Sequence, residues 1–103
     1  MNDNNLQLPT IKETLKKNNV RINKSLGQNF LFDLNLTDKI VNNSKPMCPT
    51  VIEIGPGPGG LTRSILKKKP TVLYTIDKDK QSEKMLIDVK KVYKDSLIII
   101  TDD

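Results

Sequence analysis

The stretch Val51-Ile-Glu-Ile-Gly-Pro-Gly-Pro-Gly-Gly-Leu-Thr62 decides how the rest of the 103-residue chain is read. Val51–Ile54 has the length and β-branching of a buried strand, and a glycine-rich turn follows it directly. Leu61, Ile65 and Leu66 then recur at helical spacing, which predicts a helix opening near Gly60 or Leu61 and closing before Pro70. Gly55, Gly57 and Gly60 satisfy G-x-G-x-x-G in the strand–turn–helix context that this pattern needs to mean anything. Glycines there permit a tight turn and let a ligand come close to the backbone.

Two more units of the same kind follow. Thr71–Ile76 reads as a second strand ending at Asp77, and a polar helix with Met85, Leu86 and Val89 inward comes next. Ser96–Thr101 reads as a third strand ending at Asp102-Asp103. Strands alternating with helices give the fold class: α/β, with parallel strands in the order 3-2-1. Ligands of such sheets sit at the carboxyl ends of the strands. Asp77 stands where a carboxylate can accept from both hydroxyls of a ribose. Asp79 is expected to face solvent or cap the next helix, and Asp102 or Asp103 can receive an adenine amine. Glu53, two places before Gly55, can organise the loop amides and face a ligand's charged end, or simply cap the strand. A dinucleotide site aims backbone N–H groups at a pyrophosphate, but Pro56 and Pro58 each remove one donor. S-adenosyl-L-methionine carries no phosphate and suits such a loop better.

Working toward the amino terminus, Thr10-Ile-Lys-Glu13 fits a capping box and predicts a helix over 10–18, ended by Asn18-Asn19. Residues 1–9 are polar and expected to be loose. Asp33 can cap a second helix with Leu36, Ile40 and Val41 on one face. Lys45–Pro49 reads as a linker. The chain thus divides into an N-terminal helical segment, 1–49, and the first half of a cofactor-binding domain, 50–103. One cysteine (Cys48) forbids an internal disulfide, and the absence of histidine excludes His-based metal sites and Ser-His or Cys-His catalysis. No metal is expected. The N-terminus has no basic-then-apolar signal pattern and no apolar run approaches membrane-spanning length, so a cytoplasmic chain is expected. The net charge of +5 is spread over both halves and rests on 15 Lys and two Arg. It is compatible with nucleic-acid binding without demonstrating it.

Two segments, Lys24-Ser-Leu-Gly-Gln-Asn-Phe-Leu31 and Val51–Thr62, closely resemble the opening motifs of the ribosomal RNA adenine dimethyltransferases. The Gln-Asn-Phe-Leu element is the more specific, because ordinary Rossmann-like methyltransferases lack it. The resemblance implies the N-terminal part of a Rossmann-like, S-adenosylmethionine-dependent fold. It implies cofactor contacts from Gln28, Asn29, Leu31, Glu53, Gly55, Gly57 and Asp77, with Asp103 as the third-strand acid and Asp102 as the fallback. The implied partner is 16S rRNA in the immature small ribosomal subunit, where two adjacent adenines near the 3′ end are dimethylated. Lys16, Lys17, Arg21 and Lys24 are candidates for rRNA phosphates. Phe30 is expected to pack in the core. The family's Asn-Leu-Pro-Tyr motif, which holds the target adenine, does not occur in these residues, and neither do its later strands and C-terminal helical domain. No catalytic residue is therefore assigned, and the chain reads as truncated, with Val51–Ile54 an open edge and the fold marginal. The alternative is an inactive remnant with at most weak cofactor or ribosome binding, and less favoured than either is a dinucleotide-binding oxidoreductase fragment.

Overall fold

The computed structural model describes residues 8–20, 33–43 and 49–102. Helix α1, Ile11–Lys17, starts with the predicted capping box: Glu13 N–H donates to Thr10 Oγ1 (3.1 Å) and Thr10 N–H donates to Glu13 Oε1 (2.8 Å). It ends at Asn18, and Asn19 takes a left-handed φ of 59°. Ile11 and Leu15 bury against Met85. The expectation of a loose terminus fails at its last two residues. Leu8 packs against the core, and the Pro9 carbonyl accepts from Arg63 Nη1 at 2.6 Å.

Helix α2, Leu34–Asn42, is capped by Asp33, whose carboxylate accepts from Leu36 N–H at 3.1 Å. Its buried residues are Thr37 and Val41, whereas Leu36 and Ile40 are 39% and 40% exposed. This corrects the expected face. Thr37 turns inward because its hydroxyl has two acceptors within reach for its one hydrogen, Leu34 O (3.1 Å) and Ser64 Oγ (2.7 Å) on the neighbouring helix. Ser64 also donates to Asp38 (2.6 Å), as does Lys67 (2.9 Å), so α2 is fastened by polar contacts as much as by apolar ones.

Three strands follow: β1 Thr50–Ile54, β2 Val72–Asp77 and β3 Leu97–Thr101. They pair in parallel in the order β1-β2-β3, with β1 on one edge, as expected. Between them come α3 (Gly60–Lys67), α4 (Lys80–Met85) and α5 (Ile87–Tyr93). A single turn of 3₁₀ helix over Lys94–Ser96 leads into β3. Met85, Leu86 and Val89 are buried as the spacing predicts, but on two helices rather than one, with the turn between them at Leu86. The core contains Val41, Ile65, Leu66, Leu73, Val89 and Leu97.

The strand Val51–Ile54 departs from expectation. It is not buried on both sides: Ile52 and Ile54 are 62% and 74% exposed, while Glu53, between them, is 8% exposed. Alternate residues leave a strand on opposite faces, so the helices cover the Glu53 face and leave the other open. Among the described residues no helix is long and apolar enough to cross a membrane.

Candidate cofactor site

The turn after β1 is set by three glycines with positive φ: Gly55 (69°), Gly57 (55°) and Gly59 (97°). A side chain would meet nothing within 4 Å at Gly55 or Gly57, so backbone conformation rather than space demands glycine at both. At Gly59 both demands apply, since a Cβ would come within 2.8 Å of Leu86 Cδ2. Gly55 N–H donates to Ile76 O (2.8 Å), carrying the sheet ladder into the turn, and Gly59 N–H donates to Pro56 O (3.0 Å) and closes it. With Pro56 and Pro58 lacking an N–H, Gly57 carries the donor inside this turn that no backbone carbonyl takes among the described residues.

At the carboxyl ends of the strands lies a cavity of about 650 Å³ lined by Ile54, Gly55, Ile76, Asp77, Lys78 and Asp102. Parallel pairing creates it: Ile54 stands opposite Ile76, and Asp77 opposite Thr101, which puts Asp102 beside Asp77. Asp102 N–H donates to Asp77 O at 2.9 Å and ties the two strand ends together. Asp77 Oδ1 accepts from Asp79 N–H at 3.1 Å, which orients its carboxylate. Asp79 caps α4 through Gln81 N–H (2.9 Å), as its position predicts.

Glu53 does not line this cavity. It lies behind the loop under α3, where its Oε1 accepts from Thr62 Oγ1 at 2.6 Å. Burial pushes its carboxyl up to about 7, with the Thr62 hydrogen bond pulling the other way. Thus Gly55 and Asp77 meet in one cavity together with Asp102, the fallback acid, while Glu53 braces the turn from the other side. Gln28, Asn29, Leu31 and Asp103 lie outside the described residues, as do Phe30, Arg21 and Lys24. Of the basic candidates on α1, Lys16 is exposed, and Lys17 pairs with Asp88 at 3.3 Å. Sequence reading missed Thr62 and Ser82. Thr62 sits in the third position of α3, where its hydroxyl can reach back to the strand end. Ser82 on α4 donates to Gly57 O at 3.2 Å, and no spacing in the sequence announces that.

The cavity fits an adenosyl ligand. Ile54 and Ile76 offer an apolar surface for a flat ring, and two carboxylates stand at the rim for hydroxyl and amine donors. The proline-bearing turn offers too few N–H groups for a pyrophosphate. Among the described residues no group of His, Cys, Asp and Glu is arranged to hold a metal.

The three parallel strands and their helices define an α/β, Rossmann-like chain. A solved structure from Methanococcus maripaludis, assigned to the S-adenosyl-L-methionine-dependent methyltransferases, superposes with a TM-score of 0.60 over 94% of this chain and 44% of that one. At 20% identity the likeness is one of fold. The family follows from sequence: the model of the ribosomal RNA adenine dimethylase family matches residues 19–102, and the chain belongs to that family. It is 46% identical over 101 residues to the Ribosomal RNA small subunit methyltransferase A of Bartonella bacilliformis, covering 93% of this chain and 35% of that protein. The protein of that name from Agrobacterium fabrum is 41% identical over 97 residues, with the same coverage. The mitochondrial Dimethyladenosine transferase 1 of Vermamoeba vermiformis is 53% identical over 75 residues, 72% of this chain and 22% of that protein. The chain therefore spans about a third of the length of the first two relatives.

Proposed function

We propose that this chain is the cofactor-holding part of an rRNA adenine N6-dimethyltransferase, and that the cofactor is S-adenosyl-L-methionine. The observation that carries this reading is the cavity shared by Gly55, Asp77 and Asp102, beside a turn in which Pro56 and Pro58 remove two backbone donors, in a chain of this family. Asp77 accepts from the ribose hydroxyls, and the acid at the end of β3, Asp102 or Asp103, accepts from the adenine amine. Gly55 and Gly57 let the ligand lie against the backbone. Glu53 acts from behind the turn, through its hydrogen bond with Thr62, and not by touching the ligand. Gln28, Asn29 and Leu31 add cofactor contacts from the N-terminal segment, 1–49, and 50–103 is the first half of the cofactor-binding domain. When bound, the cofactor supplies an electrophilic methyl group.

The acceptor is a pair of adjacent adenosines near the 3′ end of 16S rRNA, met in the immature small subunit in the cytoplasm. Positioning that base requires an Asn-Leu-Pro-Tyr-like motif, and these 103 residues contain none. They hold the methyl donor; transfer needs the acceptor side as well. A chimera tests this division. Residues 8–102 replace the matching segment of the Bartonella bacilliformis relative, and N6-dimethyladenine is measured on immature small subunits. The chimera is expected to methylate, its Asp77→Asn variant to lose most of that activity, and the 103 residues alone to show none. Methylation by the isolated 103 residues contradicts the division, and a folded but inactive chimera contradicts the assignment of the cofactor site.

A further inference from the structure

One short helix touches both the strand-end cavity and the glycine turn beside it. Helix α4 begins beside Asp77, whose carboxylate accepts from Asp79 N–H, and Ser82, one turn along, donates its hydroxyl to Gly57 O at 3.2 Å. At the helix end Leu86 lies against Gly59. Ser82 is 3% exposed, so its hydroxyl is spent on this contact rather than on water. The peptide that joins Gly57 to Pro58 has a carbonyl and no N–H. The Gly57 N–H belongs to the preceding peptide, Pro56–Gly57, whose carbonyl accepts from Gly59 N–H at 3.0 Å, so the Ser82 contact completes the hold on both peptides that flank the Gly57 Cα, and with them on the N–H that the turn leaves unused.

We propose that Ser82 is a positioning residue for cofactor binding: its hydroxyl holds the Gly57 carbonyl so that the Gly57 N–H is presented to the amino-acid end of the ligand. The adenosine end is held separately, by Asp77 and the third-strand acid. This rests on the reading of the cavity as an S-adenosylmethionine site and adds a division of labour within it. Ser82 acts on one half of the ligand only.

That division gives a test that a general structural role would not pass. Calorimetry on the full 103-residue chain compares S-adenosylhomocysteine, which has the amino-acid end, with adenosine, which lacks it. Losing one neutral hydrogen bond weakens binding by roughly fivefold to tenfold. Ser82→Ala is expected to weaken S-adenosylhomocysteine by about that factor while leaving adenosine within about twofold. Ser82→Thr, which keeps the hydroxyl, is expected to restore the affinity. Should the alanine variant fail to fold, Ser82→Cys keeps the volume, weakens the donor and carries the same comparison. Equal weakening of both ligands, or unchanged affinity for S-adenosylhomocysteine, overturns the role of Ser82 while leaving the site reading intact. If the unaltered chain binds neither ligand, the site reading itself fails and this inference with it.

Discussion

Alternate side chains of the three strands leave the sheet on opposite sides, and the two sides meet different surroundings. On one side Leu73 and Leu97 are fully buried under the helices, and Glu53, Thr62 and Thr75 make a polar layer among them near the glycine turn. On the other, two rows cross the sheet, Ile52–Tyr74–Ile98 and Ile54–Ile76–Ile100, and four of the five isoleucines are more than a third exposed. A parallel sheet normally needs cover on both faces. Here the helical face supplies stability, and the open face runs into the candidate cofactor cavity through Ile54 and Ile76. The apolar run Val51–Ile54 thus encodes two distinct tasks on one strand.

The largest expected contrast sets equivalent truncations on the two faces against each other. Leu73→Ala is expected to cost about 2–5 kcal/mol, the range for emptying a packed position. Ile52→Ala, on the open face, is expected to stay within about 0.5 kcal/mol. Urea midpoints compared at constant slope measure both. Similar losses at both positions would mean that the open face is covered in solution.

Next comes pH. Burial raises the Glu53 pKa from 4.5 to about 7. An acid with a raised folded-state pKa keeps its proton in the native chain after the unfolded chain has lost it. Between pH 4.5 and about 7 the native state therefore binds more protons, and stability falls as pH rises, by about 3 kcal/mol in all. Glu53→Gln is expected to flatten that slope and to be the more stable form at pH 8. Asp38 works in the opposite sense. Hydrogen bonds from Ser64 and Lys67 hold its carboxyl below the ordinary range, so its contribution is lost only as pH falls through that lowered value. Thermal unfolding followed from pH 8 to below pH 3.8 separates the two, because Glu53→Gln leaves the acid limb in place.

Smaller effects refine the polar layer. Thr62→Val leaves the buried Glu53 carboxyl without its hydroxyl partner and is expected to cost about 1–3 kcal/mol, measured by the same urea midpoints. Thr75 Oγ1 is buried without a partner beside it in the sheet. Thr75→Val removes an unsatisfied hydroxyl at nearly constant shape and is expected to be neutral or slightly stabilising. A clear loss there would place an unseen partner, such as a water shared with Glu53, in the layer.

Much of this architecture is legible in the sequence because its signals are local. The Thr10/Glu13 capping box, the Asp33 and Asp79 caps and the glycine turn each depend on a few adjacent residues, and each forms as written. The strand order follows from the repeated strand–turn–helix pattern. What misled was periodicity applied without knowledge of the neighbours. Leu36 and Ile40 share a helical face with apolar spacing, yet Thr37 turns inward because Ser64, 27 residues away, meets its hydroxyl. The same holds at the site. Asp77 is visible at a strand end, whereas the Ser82–Gly57 and Thr62–Glu53 contacts exist only once α3 and α4 are laid against the sheet.

The central claim is that the cavity at the ends of β1, β2 and β3 holds an adenosyl ligand without phosphates, anchored by Asp77. Calorimetry of the 103-residue chain with S-adenosylhomocysteine and with NAD tests it most directly. S-adenosylhomocysteine is expected to bind at least about tenfold more tightly than NAD, a difference of about 1.4 kcal/mol, and Asp77→Asn to remove most of that affinity. Tighter binding of NAD, or unchanged S-adenosylhomocysteine affinity in the folded Asp77→Asn variant, would contradict the account.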